Sequence, residues 1–181
     1  MQKKNNRFLR IAVFSSFLAA MSIVFGKYLA INLGEVIRIS FENTPVIFAG
    51  IAFGPIVGAV VGIVADLVGC LLVGYAINPL ITVGAALIGA VSGIFSFFIG
   101  KREGVSRYLL IIGAIFLSHT VGSVLVKTAG LAAFYATPYY VLILWRALNY
   151  LIVGTLEALI IVPLISNKRI DEEIKKLGGK A

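Results

Sequence analysis

Apolar residues run through this chain in blocks of about 20, each closed by a short polar or Gly/Pro segment. About 20 residues is what a helix needs to cross a ~30 Å hydrocarbon layer. The blocks predict helices near 8–30, 41–53, 55–75, 79–100, 107–129 and 138–166, within one membrane domain covering residues 1–181. The expected fold class is all-α, a polytopic bundle of six transmembrane helices.

One stretch admits two readings. From Pro45 to Val73 only Asp66 is charged, so it reads as one long helix or as two helices meeting at Gly54 and Pro55. A Gly-Pro pair is strong turn punctuation, because proline cannot continue the helical hydrogen-bond ladder. Charge bias decides between them. With a turn, three basic clusters share one side: Lys3, Lys4, Arg7 and Arg10; then Lys101, Arg102 and Arg107; then Lys168, Arg169, Lys175, Lys176 and Lys180. A single helix would split them, against the positive-inside tendency of short loops. Six spans with both termini in the cytoplasm follow, in a multi-pass membrane protein.

The second span holds only 13 residues, or ~20 Å of helix. It is expected to be tilted or partly re-entrant and sheltered by its neighbours, since irregular backbone at membrane depth must be covered by protein. The preceding segment, Asn32 to Ser40, is expected to be an outward loop that dips toward the bundle. Gly54, Gly58 and Gly62 recur at every fourth residue, as do Ala85, Gly89 and Gly93. Such stripes let helix backbones approach closely where lipid supplies no hydrophobic force between helices.

Composition sharpens this picture. With 60% apolar and 13% charged residues in 181, the chain carries more hydrophobic surface than a soluble domain of this size would bury. The net charge of +8 does not indicate nucleic acid, because most basic residues sit between the apolar blocks. Cys70 is the single cysteine and lies within an apolar stretch, so it offers neither a disulfide framework nor a metal cluster and reads as a packing residue. The run from Ile11 to Ile31 is too long for the roughly 7–15-residue core of a signal peptide and is kept as the first helix. The tail from Asn167 to Ala181 reads as a charged, frayed helix end.

Four basic residues remain outside the clusters: Lys27, Arg38, Lys127 and Arg146. All fall in the outer half of the bundle, and a charge at mid-span costs roughly 2.5–3.5 kcal/mol on insertion scales, so each asks for a partner or a function. His119, Ser123 and Lys127 repeat at every fourth residue of the fifth span. On the sixth, Tyr139, Ile143, Arg146, Tyr150 and Glu157 share a stripe, with Asn149 at its edge. Turned inward, these faces line a cavity open to the outside and suited to a small anionic solute. Lys127 and Arg146 bring positive charge, Asn78 and Asn149 bring donors and acceptors, and Tyr139, Tyr140 and Trp145 bring stacking surfaces.

Each residue also has a plainer reading. Lys127 reaches the outer interface by snorkelling, and Tyr139, Tyr140 and Trp145 form an aromatic belt. Asn78 before Pro79 is a good helix N-cap. Glu157 pairs with a helix neighbour, Asp66 makes an architectural hydrogen bond, and Arg38 pairs with Glu35 or Glu42. His119 has no second histidine with which to bind zinc, so no metal is expected. No Walker A, H-E-x-x-H, G-x-S-x-G or dinucleotide fingerprint is present. The chain therefore reads as a non-enzyme without a cofactor, whose uphill transport would draw on another subunit or an ion gradient.

Several stretches carry a family resemblance. Arg38-Ile-Ser-Phe-Glu-Asn-Thr-Pro45, Phe53-Gly-Pro-Ile-Val-Gly58 and Gly62-Ile-Val-Ala-Asp66-Leu-Val-Gly69 are followed by Asn78-Pro79 and Gly84-Ala-Ala-Leu-Ile-Gly89. His119-Thr-Val-Gly-Ser123 with Lys127, and Trp145-Arg146, complete the series. In this order, over roughly residues 8–166, the chain resembles the substrate-binding S components of energy-coupling-factor (ECF) vitamin transporters, the folate branch in particular. The resemblance implies a six-helix subunit that captures its vitamin from outside and associates with a transmembrane coupling protein and two ATP-hydrolysing subunits. It also implies contact with the coupling protein through small residues on the first helix, here Ala12, Ser16 and Ala20. Folate fits the polar faces, with Arg38, Lys127 and Arg146 as leading contacts and Asn78, His119, Tyr139 and Asn149 in support. The alternatives are an S component for another vitamin or precursor (riboflavin, pantothenate or a queuosine precursor), an autonomous ion-coupled carrier or channel, and a structural membrane protein without a ligand.

Overall fold

The structure, a computed structural model, describes residues 2–33, 37–177 and 179; Glu35 and Lys180 lie outside them. Helix α1 (Gln2–Lys27) leads into a β-hairpin of β1 (Ile31–Leu33) and β2 (Ile37–Ile39). Then come α2 (Asn43–Phe53), α3 (Pro55–Val73) and α4 (Pro79–Ile99). The fifth segment is continuous but not uniform: α5 (Gly104–Ser118) passes into a π-helical stretch (His119–Val126) and out into α6 (Lys127–Tyr135). Helix α7 (Tyr139–Ser166) and the short α8 (Lys168–Leu177) complete the chain. Counting 104–135 as one, six helical segments form the bundle among the described residues. Five of them are long and apolar enough to cross a membrane; the sixth, Asn43–Phe53, is shorter.

Local sequence accounts for the breaks. Gly54 takes φ 98°, a conformation that favours glycine, and Pro55 opens the next helix, so α2 and α3 are separate elements. Gly74, at φ 69°, closes α3 in the left-handed conformation usual at helix C-termini. The Asn78 side chain accepts a hydrogen bond from the Leu80 amide at 3.0 Å, and Pro79 starts α4.

All eleven residues of α2 are buried, so this helix is the centre of the bundle. Its Ile47 and Ile51 join Ile88, Ile99, Ile111, Ile115, Ile161 and Ile165 in one core. Helices α3 and α4 form the most extensive pair. A Cβ on Gly58 would strike the Gly89 carbonyl, one on Gly89 the Gly58 carbonyl, and one on Gly62 the Ala85 carbonyl. The two small-residue stripes are thus the seam between these helices, where backbone meets backbone.

Two segments differ from expectation. The outward loop is a two-stranded antiparallel hairpin with Ile31 opposite Ile39 and Asn32 opposite Arg38. Its backbone polar groups pair with each other, which lets the segment lie against the bundle. The charged tail is a distinct helix: Ile174 is buried, Ile170 and Leu177 pack against the core, and Lys168, Arg169, Glu172 and Glu173 face outward. Asp171 of α8 is held by Arg107 of α5 at 2.7 Å, and Arg107 also donates to the Ile165 carbonyl.

Candidate functional site

At the end of the bundle away from α8, a cavity of about 450 Å³ opens between α1, the hairpin, α3, α4, α6 and α7. That volume lies in the range of small-molecule pockets, roughly 300–1,000 Å³. Of the residues singled out from sequence, Arg38, Asn78, Lys127, Arg146 and Asn149 line it together. His119 and Tyr139 do not.

Each lining residue is placed by its own element. Lys127, the first residue of α6, is buried, and its Nζ lies 3.6 Å from Glu42. It is an interior cation rather than a snorkelling one. Arg38, on β2, donates to the Gly26 carbonyl and stands 3.9 Å from Glu42. Asn149 donates to the Arg38 carbonyl at 3.1 Å, tying α7 to the hairpin, and its Oδ1 has no partner among the described residues. Arg146 donates through Nε and Nη2 to the Ser123 carbonyl and lies over the Tyr150 ring, 5.2 Å from its centroid. Asn78 both caps α4 and donates to the Gly130 carbonyl at 2.9 Å, so its capping role and its place on the cavity wall coexist.

Other lining groups were not assigned to the site from sequence: Glu42, Asp66, Cys70, Tyr75 and Tyr135, with Lys27 marked only as an isolated cation and Tyr150 only as a member of the polar stripe. Lys27 lies over the ring of Tyr75, 5.2 Å from its centroid, where α1 ends and the α3–α4 connection begins. Glu42 sits among the cations; its position four residues after Arg38 was the available signal. Asp66 accepts from Thr82 at 2.7 Å, joining α3 to α4 as an architectural bond, and also lines the cavity. A carboxylate within an apolar span is itself a functional marker. Tyr135 and Tyr150 supply further rings, whereas Tyr140 and Trp145 are largely exposed outside the cavity. Cys70 is buried and lines the cavity beside Asp66.

His119 lies behind the wall. Its Nε2 is 2.5 Å from Glu157 Oε2, its Nδ1 is 3.3 Å from Ser123 Oγ, and its ring stacks on Tyr150 at 4.8 Å. Thr44 of α2 donates to the other Glu157 oxygen at 3.0 Å. Glu157 is therefore satisfied by α2 and the π-helical stretch rather than by its own helix. Tyr139 stands at the start of α7, 39% exposed, with its hydroxyl 3.3 Å from the Leu125 carbonyl. On the outer face of α1, Ser16 and Ala20 are exposed and Ala12 is half-buried; the Ser16 hydroxyl is satisfied by the Ala12 carbonyl at 2.9 Å.

The cavity thus gathers four cationic side chains, two carboxylates and several aromatic rings around one hollow, an arrangement that can bind a flat, anionic, hydrogen-bonding molecule.

The chain resembles known proteins in sequence and in fold. The chain is 32% identical over 108 residues to the folate transporter FolT of Clostridium novyi (strain NT), a match covering 59% of this chain and 61% of that relative. Among solved structures, one of FolT bound with folic acid superposes with a TM-score of 0.67 at 25% identity, covering 83% of this chain and 89% of the other. An S component of a bacterial ECF transporter superposes with a TM-score of 0.62 at 20% identity, over 95% and 99% of the two chains, and shares the fold. The profile of the family described as "ECF transporter, substrate-specific component" matches residues 10–165. This multi-pass membrane protein therefore belongs to the substrate-specific components of ECF transporters.

Proposed function

We propose that the chain captures folate from outside the cell and passes it, chemically unchanged, to an ATP-driven module. The observation that carries this reading is the charge of the cavity: Lys27, Arg38, Lys127 and Arg146 against Glu42 and Asp66. The excess of positive charge suits a glutamate tail with two carboxylates. Tyr75, Tyr135 and Tyr150 suit a flat pterin, and Glu42 or Asp66 suits the N–H donors on its pyrimidine edge. Arg38, Lys127 and Arg146 are assigned to the anionic end, with Asn78 and Asn149 supplying hydrogen bonds. Similarity to FolT, and to FolT bound with folic acid, supports the choice of ligand.

In this reading both termini face the cytoplasm, the cavity faces outward, and the protein resides in the bacterial plasma membrane. Ala12, Ser16 and Ala20 form the smooth face of α1 that meets a transmembrane coupling protein, which in turn joins two ATP-hydrolysing subunits.

Titration of the purified full chain with folic acid, riboflavin and pantothenate tests the ligand. Tight, selective folic acid binding is expected; absent folic acid binding beside tight binding of another vitamin overturns it. Liposomes holding this chain alone are expected to show no solute turnover, whereas sustained flux would favour an autonomous carrier.

A further inference from the structure

The buried pair of His119 and Glu157 takes no part in the cavity wall, yet it lies one contact behind it. Both residues are almost completely withdrawn from solvent. Burying two ionisable groups is unfavourable unless their partners are well placed, and an apolar pair of similar volume often packs as well. What distinguishes this pair is its neighbours. Arg146 is held by two groups, the Ser123 carbonyl at 3.1 Å and the Tyr150 hydroxyl at 3.4 Å. His119 touches both residues, through Ser123 Oγ at 3.3 Å and through the Tyr150 ring, stacked at 27°. Gly154 of α7 lies against the segment that carries His119, where an added Cβ would stand 3.1 Å from the Phe116 ring and 3.6 Å from the imidazole. Glu157 of α7, itself held by the Thr44 hydroxyl of α2, then fixes the Nε2 edge of the ring.

We propose that His119 and Glu157 are positioning residues for the ligand cavity: their pair clamps Ser123 and Tyr150, and these two groups aim the Arg146 guanidinium at the bound anion. The inference rests on the proposed capture of folate, with Arg146 as one of its cations. His119 Nε2 and Glu157 Oε2 share a hydrogen bond at 2.5 Å, which leaves Nδ1 turned toward Ser123. The π-helical stretch belongs to the same device. It begins at His119 and includes Ser123, and its widened turn leaves the Ser123 carbonyl free to receive Arg146 in addition to the Thr128 hydroxyl.

A double-mutant cycle with folic acid tests this on the full purified chain, with thermal midpoints recorded for every variant. His119→Gln keeps a donor for Glu157 but has no ring to stack on Tyr150. It is expected to weaken folic acid binding about tenfold on the wild-type background and less than twofold on an Arg146→Ala background, because coupled residues are non-additive. The paired change His119→Phe with Glu157→Leu restores the ring against Tyr150 but not the contact with Ser123 Oγ, and is expected to recover only part of the lost affinity, to about threefold below wild type. A role confined to stability predicts instead that affinity follows the thermal midpoint and that the His119→Gln loss persists in full without Arg146; that result overturns the proposal. Wild-type affinity in His119→Gln while Arg146→Ala binds weakly overturns this inference alone. Arg146→Ala binding as tightly as wild type removes both the inference and the reading beneath it. If His119→Gln does not fold, Glu157→Gln, which keeps the shape and loses the charge, replaces it in the same cycle.

Discussion

Lys127 Nζ lies 3.6 Å from Glu42, joining α6 to the start of α2 on the cavity wall. Lys127 is 6% exposed, so its charge is held in the interior by this partner, with Glu42 also facing Arg38 at 3.9 Å. Such a cation is available to a ligand carboxylate without further desolvation. Lys127→Met is expected to weaken folic acid binding at least tenfold, or about 1.4 kcal/mol, measured by titration calorimetry. Unchanged affinity would remove Lys127 from the site.

The other cations divide by location. Arg38→Ala and Arg146→Ala are each expected to reduce affinity for folic acid by at least tenfold. Arg107→Ala, at the opposite end, should leave affinity within about twofold while lowering the thermal midpoint, since it breaks the tie to Asp171. Equal effects at all three positions would contradict the assignment of the cavity.

The seam between α3 and α4 makes a sharp distinction between glycines. Gly89→Val places side-chain atoms where the Gly58 backbone stands, and is expected to abolish a monodisperse peak in fluorescence-detected size-exclusion chromatography. Gly113→Ala meets only a Phe95 ring atom at 3.6 Å and should be tolerated. Loss of the folded protein in Gly113→Ala, or a normal peak for Gly89→Val, would count against backbone contact as the basis of this pairing.

Acid should loosen α8. Burial alone would push the Asp171 carboxyl up, but hydrogen bonds from Lys175 and Arg107 outweigh it and hold the group below the usual carboxylate range. A depressed value in the folded state means that the stability is present above the ordinary Asp pKa of about 3.9 and is lost as pH falls through the lowered value. The wild type should therefore exceed Asp171→Asn by about 2–4 °C in thermal midpoint near neutrality, for ~1 kcal/mol in a chain of this size. That gap should close in acid below pH ~4; a gap that stays constant there would refute the linkage.

The proposed role of the outer face of α1 predicts that binding and uptake can be separated. Ser16→Leu adds bulk to an exposed position and should leave folic acid affinity intact while abolishing ATP-dependent uptake in cells. Uptake at wild-type rate would exclude this face as the contact with a coupling protein.

Much of this was legible in the sequence, for reasons that differ by residue. Gly58, Gly62, Ala85 and Gly89 recur at helical spacing, and in lipid that spacing has one main use, so the α3–α4 seam could be read directly. Lys27, Arg38, Lys127 and Arg146 stand apart from the basic clusters, and charge within apolar blocks is costly enough to mark them. The pairing of His119 with Glu157, 38 residues away, was not legible, because periodicity within one helix says nothing about which face meets which neighbour. The hairpin was missed because three-residue strands leave too short a pattern to recognise. Tyr139 and Tyr150 share a helical stripe, but Tyr139 is the first residue of α7 and Tyr150 lies about three turns deeper, and only the deeper ring reaches the cavity.

The widened coil from His119 to Val126 also acts as a phase adjuster. Lys127 is the first residue beyond it, so the angle at which that side chain leaves the helix is inherited from the number of residues in the preceding turns. Inserting or deleting a single residue there would rotate the whole of α6 about its own axis, swinging Lys127, Leu131 and Phe134 off the hollow without altering any of them. In this bundle, the length of one short stretch decides which side chains face the hollow as directly as their identities decide its chemistry.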